Sequence, residues 1–392
     1  VKKILSLLIF ILLLCSVCTT VFAGDLENPD LLTGNVTIVS GETGYYTTNG
    51  EVDFSIKVED GATLVLVNAQ IKCTTDNPIQ FLGNGTLLLV GESSIISDCN
   101  DYAAINVVAG GQLTIEDYAS DGAVGSLTAI GGYRAAGIGG NYFEDVGEIV
   151  INSGIINATA GYGSAAIGGG YTYNGSDFIF TNPSIIINDG TVTANGNSGG
   201  AGIGSGKGNC YTLTIDISGG DITSTGGEDG TGIGGGYLSG GSGHTTININ
   251  GGNIDAVGKA DGAGIGNSWT SNYTYDLIIN IAGGDINARC IRTGNDGFGG
   301  NDLGAGIGSG PSYSSSGYAS SNAGDQIINI SGGKIYALAG LTGFNKGGAG
   351  IGGGHLSAID SISISGGLIY ARGYRYTSND IGGGYRAQGF GT

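Results

Sequence analysis

The chain has 392 residues, 82 of them glycine and four proline, without the strict triplet that would make it collagen. Apolar residues reach 40%, enough for a packed core and too many for a disordered chain. Fourteen basic residues face 33 acidic ones, a net charge of −19 that becomes −21 if Lys2 and Lys3 leave with a leader. This excludes nucleic acid and anionic membrane surfaces as partners and suits a cell exterior, calcium or a cationic ligand.

Residues 1–23 read as a secretory signal. Lys2-Lys3 is the basic start, Ile4 to Val17 the apolar stretch, and Val21-Phe22-Ala23 the cleavage site, so the mature chain begins at Gly24. The alternative is an uncleaved anchor, since Ile4 to Ala23 is long enough to span a bilayer. No membrane span is expected in the mature chain, which is placed outside the cell, secreted or on its surface. Six Asn-x-Ser/Thr triplets, at Asn35, Asn84, Asn157, Asn174, Asn272 and Asn329, are glycan acceptors only if the host glycosylates.

Residues 24–50 are polar and read as an N-terminal cap or lead-in. Over 51–130 short alternating strands such as Phe54 to Val58, Leu64 to Val67, Leu87 to Val90 and Leu113 to Ile115 recur every 23 to 26 residues, separated by turns containing Gly. Cys73 precedes Ile79 by six positions and Cys99 precedes Ile105 by six, which makes them equivalent points on adjacent turns. Strands about 4.8 Å apart can be bridged, so a Cys73–Cys99 disulfide is expected, with a buried pair of free thiols as the alternative. Cys210 and Cys290 are not equivalent and are left unpaired.

Over 131–392 one motif returns, clearest as Gly348-Ala349-Gly350-Ile351-Gly352-Gly353-Gly354. Its isoleucines are Ile138, Ile167, Ile203, Ile233, Ile265, Ile307, Ile351 and Ile381, at spacings of 29, 36, 30, 32, 42, 44 and 30. A period near thirty with longer units is the mark of a solenoid whose insertions become loops. Within a unit, Ile247 and Ile249 point one way, Asn250-Gly251-Gly252 turns a corner, Ile254 and Ala256 point inward, and Ala263 to Gly266 forms a third strand. Three period-2 strands per thirty residues describe one turn of a parallel β-helix, a single all-β domain of about 12 turns. The glycines flanking the motif isoleucine are read as clearing a smooth, outward strip of backbone.

Equivalent offsets then form columns. Four residues past the motif isoleucine stand Tyr142, Tyr171, Lys207, Tyr237, Trp269, Pro311, His355 and Tyr385; five of these eight are aromatic, in a chain that is 8% aromatic. A line of rings beside a smooth strip is a platform for sugar rings, which names Tyr142, Tyr171, Tyr237, Trp269, His355 and Tyr385 as carbohydrate contacts. The alternative is a structural stack. An acidic column, Asp229, Asp261, Asp296 and Asp302, offers oxygen ligands for calcium, although Asp-Gly pairs also serve simply as turns.

Enzymatic signatures are sparse. A lyase needs a basic proton abstractor, and the clusters available are Arg289 and Arg292 near Asp296, Lys259 near Asp261, and Arg372 and Arg375 near Asp380. His244 and His355 have no Cys, Ser or acidic neighbour at a catalytic spacing along the chain. Thr191 and Thr193 make one rung where ice binding would want a regular ladder.

On Gly-Ala-Gly-Ile-Gly-Gly-Gly, Ile-Ser-Gly-Gly-x-Ile and the turn Asp60-Gly61-Ala62-Thr63-Leu64, residues 50–392 resemble exported right-handed β-helix proteins of pectate-lyase-like architecture, most of all adhesin-like surface proteins of anaerobic bacteria and methanogenic archaea. The resemblance implies a monomeric, non-catalytic surface protein binding a cell-wall or host polysaccharide, with calcium as an optional cofactor. A calcium-dependent polysaccharide lyase and a ligand-free stalk are the alternatives. No catalytic residue of that family carries over.

Overall fold

The computed structural model describes residues 25–118, 123–172, 184–209, 212–240, 243–271, 275–291, 303–313, 324–340, 347–357, 359–374 and 378–385. The expected leader, Cys210, Arg292, Asp296, Asp302, Arg375, Asn174 and Asn272 lie outside these residues. Among them every regular element is a strand, and no helix is long and apolar enough to cross a membrane.

One turn shows the pattern. Gly243–Ile249 runs in sheet A, Asn253–Lys259 in sheet C and Ile265–Asn267 in sheet B, and the chain then returns to sheet A at Tyr275–Ile281. Sheets A and B each hold twelve strands and sheet C ten, and sheet neighbours are successive turns paired in parallel. The register sets Ile247 beside Ile279, Ile254 beside Ile286 and Ile233 beside Ile265. The molecule is therefore a right-handed parallel β-helix, the hand that parallel crossovers favour. Winding is under way before residue 51, because Thr43–Thr47 already pairs with Ala62–Val67, and Val36–Ile38 with Ile56–Val58.

Alternation explains the core. Side chains on a strand point to opposite faces, so every second residue turns inward and meets its counterpart one turn on. The motif isoleucines from Ile138 to Ile351 are fully buried. Each contributes about 1.5–3 kcal/mol by leaving water. On the outer face of sheet A, Asn248 donates to Asp216 at 2.7 Å, Asn280 to Asn248 at 2.8 Å and Asn329 to Asn280 at 2.9 Å, which ties four turns together side chain to side chain.

The motif itself is a closed loop. The N–H of Ala136, Ala165, Ala201, Ala263, Ala305 and Ala349 each donates to the carbonyl four residues later, and the isoleucine N–H donates to the next turn, as Ile233 does to Gly264 at 3.0 Å. The glycine after each isoleucine takes φ between +126° and +141°, and a Cβ on Gly234 would stand 1.9 Å from the carbonyl oxygen of Gly266. This corrects the reading of an outward strip. From Gly139 to Gly352 these glycines are buried, and the space they leave is filled by the backbone of the following turn.

The cysteine expectation also changes. Cys73 pairs in register with Ser97, not Cys99, and both cysteines are free thiols. The span from strand end to the next isoleucine grows by two residues on the second turn, so equal distances to Ile79 and Ile105 did not mean equal places in sheet C. Cys73 instead donates from Sγ to the carbonyl of Phe54 at 2.8 Å. Cys290 is a buried free thiol.

Candidate functional site: an aromatic corner

The column four residues past the motif isoleucine is fixed by backbone bonds on both sides. The N–H of Tyr142 donates to Asp101, that of Tyr171 to Arg134, that of Lys207 to Gly163 and that of Tyr237 to Gly199, each acceptor lying four residues before the isoleucine of the preceding turn. Carbonyls of the column accept from the turn before, as Tyr237 does from Gly208 at 3.1 Å. Short parallel pairs, Gly208–Asn209 with Leu238–Gly240 and Thr270–Ser271 with Ser312–Tyr313, extend the same line. Neighbouring turns thus carry their column side chains at one strand spacing.

That spacing decides how the rings lie. Tyr237 and Trp269 stack with centroids 4.8 Å apart at 23°, and His355 and Tyr385 with centroids 5.7 Å apart at 15°. Lys207 Nζ lies 4.5 Å from the centroid of Tyr237. Tyr237 thus lies between a cation and Trp269, and Trp269, His355 and Tyr385 each have a ring face covered by a neighbour. His355 is buried, while Tyr237, Trp269 and Tyr385 are half-buried. The expected continuous platform of open faces is not what these residues form. Gly199 shows the tightness of the arrangement, since a Cβ there would come within 2.9 Å of Lys207 Cδ and 3.1 Å of Tyr237 Cβ.

The first two rungs differ. Tyr142 and Tyr171 lie 5.9 Å apart at 33°, and two further tyrosines join them. Tyr133 and Tyr162 stack at 5.5 Å and 19°, and Tyr162 meets Tyr171 edge to face at 5.9 Å. Phe143 lies 5.9 Å from Tyr142. Tyr133 is 58% and Tyr162 38% exposed. Arg134 covers the Tyr142 ring at 3.8 Å and is itself held by Asp101, 2.7 Å from its guanidinium. The result is a five-ring cluster on consecutive turns with two rings standing into solvent. The Tyr133–Tyr162 pair was not picked out from the sequence, although both lie five residues before a motif isoleucine, so the alignment that found the column contained it.

The two described members of the acidic column, Asp229 and Asp261, are turn residues. Asp229 takes φ +60°, a left-handed conformation that Asp tolerates, and its backbone carbonyl accepts from the Ser268 hydroxyl. Among the described residues no three Cys, His, Asp or Glu side chains converge as a metal cage. Of the basic groups, Arg289 is committed to a two-pronged pair with Asp255 at 2.5 and 3.0 Å on sheet C. His244 departs from expectation. Asp276 arrives from the next turn, 3.4 Å from Nδ1, and Thr246 Oγ1 lies 3.0 Å from Nε2, all on the open face of sheet A.

A family model described as a beta helix repeat matches residues 123–142, 149–171, 185–207, 247–269 and 328–355, less than half of the chain. Each match runs through sheet strands of one turn, and all five end on the aromatic column itself, at Tyr142, Tyr171, Lys207, Trp269 and His355. No curated protein and no solved structure matches the chain.

Proposed function

We propose that this β-helix is a non-catalytic, adhesin-like carbohydrate-binding protein of the cell exterior, and that its contact surface is the corner formed by Tyr133, Tyr142, Tyr162 and Tyr171. The observation that carries the reading is the five-ring cluster with Tyr133 and Tyr162 exposed at its edge. Sugar rings have apolar C–H faces and polar rims, and they settle on tyrosine where rings are accessible and polar groups stand nearby. Rigid stacking of the turns holds the rings in place before a ligand arrives, which lowers the ordering cost of binding.

The test is a glycan array followed by titration calorimetry on the purified protein. Binding of at least one oligosaccharide, weakened about tenfold or more by Tyr162→Ala and by Tyr133→Ala with unchanged melting temperature, supports the reading. Absence of binding across the array removes it and leaves a structural coat or stalk.

A further inference from the structure

Beside the aromatic corner lies a polar groove. The chain passes from Phe143 through Val146 and Gly147 to Glu148, the first residue of a sheet A strand. Glu148 lies five positions after Phe143, at most about 18 Å along the chain. Glu148 lies in register with Gln112 on the turn before, and Ser184 takes the same place on the turn after, one residue ahead of the Ile149–Ile185 pair. Asn84 takes it one turn earlier still, just ahead of the Gly85–Leu113 pair. These four side chains line an open cavity of about 410 Å³ floored by Gly111 and Gly147. A Cβ on Gly147 would stand 2.4 Å from the carbonyls of Val108 and Gly111, so the floor is bare backbone.

The chemistry of this lining is specific. The Glu148 carboxylate accepts from Gln112 Nε2 on one oxygen and from Ser184 Oγ on the other. A carboxylate has about four acceptor positions, so two remain for hydroxyl donors. Asn84 and the amide oxygen of Gln112 add further acceptors. Four rungs at about 4.8 Å span about 14 Å, the length of a short oligosaccharide. Among the described residues no lysine or arginine lines the groove, and the one charge there is the carboxylate of Glu148. Arg134 of the tyrosine corner is already bound to Asp101. A uronate or sulfate placed here would meet the like charge of Glu148, with no cation among the described lining residues to offset it.

We propose that the groove of Asn84, Gln112, Glu148 and Ser184 is a subsite for an uncharged glycan, contiguous with the tyrosine corner. The inference rests on the carbohydrate reading above and narrows it: the ligand is a neutral polysaccharide, and Glu148 rejects acidic ones.

Calorimetry with hexaoses of glucose, xylose and mannose, set against oligogalacturonate and a sulfated glycan, tests this. The wild type is expected to bind a neutral oligosaccharide at least tenfold more tightly than either acidic one. Glu148→Ala and Gln112→Ala should each weaken that binding about three- to tenfold. Glu148→Lys should shrink or invert the preference, an effect that loss of packing would not produce. Melting curves identify any variant that fails to fold, and Ser184→Ala supplies a conservative substitute. Preferential binding of acidic glycans overturns the subsite. So does wild-type affinity in Glu148→Ala and Gln112→Ala while Tyr162→Ala loses binding, an outcome that keeps the tyrosine corner. Wild-type affinity in all of them, or no binding to any glycan, removes both.

Discussion

Tyr237 and Trp269 lie face to face 4.8 Å apart, one turn of the solenoid from ring to ring. Trp269 is the only tryptophan in the chain, so intrinsic fluorescence reports this one rung. Tyr237→Ala should shift the emission maximum to longer wavelength and cost about 0.5–1.5 kcal/mol beyond the lost burial. Because Tyr237 already covers one face of the half-buried Trp269, Trp269→Ala should leave oligosaccharide affinity within about twofold, in contrast to Tyr162→Ala. An unchanged emission maximum in Tyr237→Ala would show that the stack is not held in solution.

The motif glycine is the least replaceable position. Gly234→Ala places a methyl 1.9 Å from the Gly266 oxygen at φ +130°. Backbone strain of about 1–3 kcal/mol and overpacking of about 1–3 kcal/mol predict a loss of about 2–6 kcal/mol, measured by urea unfolding. Stability within 1 kcal/mol of wild type, by the usual scale for surface changes, would contradict this packing.

Removing the isoleucine beside it acts through a cavity. Ile233→Ala should cost about 2–5 kcal/mol, and the loss should not add simply with that of Ile265→Ala, its neighbour in register. A double-mutant cycle reads the coupling.

The asparagine line on sheet A makes a smaller, separable contribution. Asn248 both donates to Asp216 and accepts from Asn280. Asn248→Ala should cost about 1–3 kcal/mol, at about 0.5–1.5 kcal/mol per hydrogen bond, by denaturant titration.

Alkaline pH should weaken the fold. Burial pushes the thiols of Cys73 and Cys290 up to about 12, with Asp53 and Asp76 adding to the effect at Cys73, and burial lifts the Tyr46 phenol to about 12. Unfolded, these groups titrate near 9.0 and 10.0. Between those values and 12 the folded chain keeps protons that the unfolded chain has lost, so stability is whole below about pH 9 and falls as pH rises toward 12. Melting temperature against pH checks the sign. Cys73 should also alkylate far more slowly at pH 8 than an ordinary thiol, because little thiolate forms.

Much of this architecture could be read from the sequence because a coil needs an apolar residue at the same place on every lap. The isoleucine spacing therefore gave the winding, and inter-turn backbone bonds made the offset of Tyr171, Tyr237 and Trp269 meaningful. Ring direction was not legible. The gap between turns is close to a stacking distance, so the rings satisfy one another before any ligand, and offsets carry no orientation. His244 and Asp276 could have been found, since each sits three residues before a paired isoleucine, Ile247 and Ile279. The cysteine pairing failed for a physical reason: the register is set within each sheet separately, and two residues added at a corner of the second turn leave the isoleucines aligned and the cysteines offset.

The blocked space at Gly139, Gly168, Gly204, Gly234, Gly266, Gly308 and Gly352 reaches beyond folding. Each is hemmed in by the oxygen of the lap that follows, so this seam can accept neither a new side chain nor a slipped residue. Length variation is driven elsewhere, and unit lengths running from 29 to 44 differ in the segments between seam positions. A lineage of such proteins would diversify by lengthening the segments between seam positions or by copying entire laps, with the seam acting as the fixed spine.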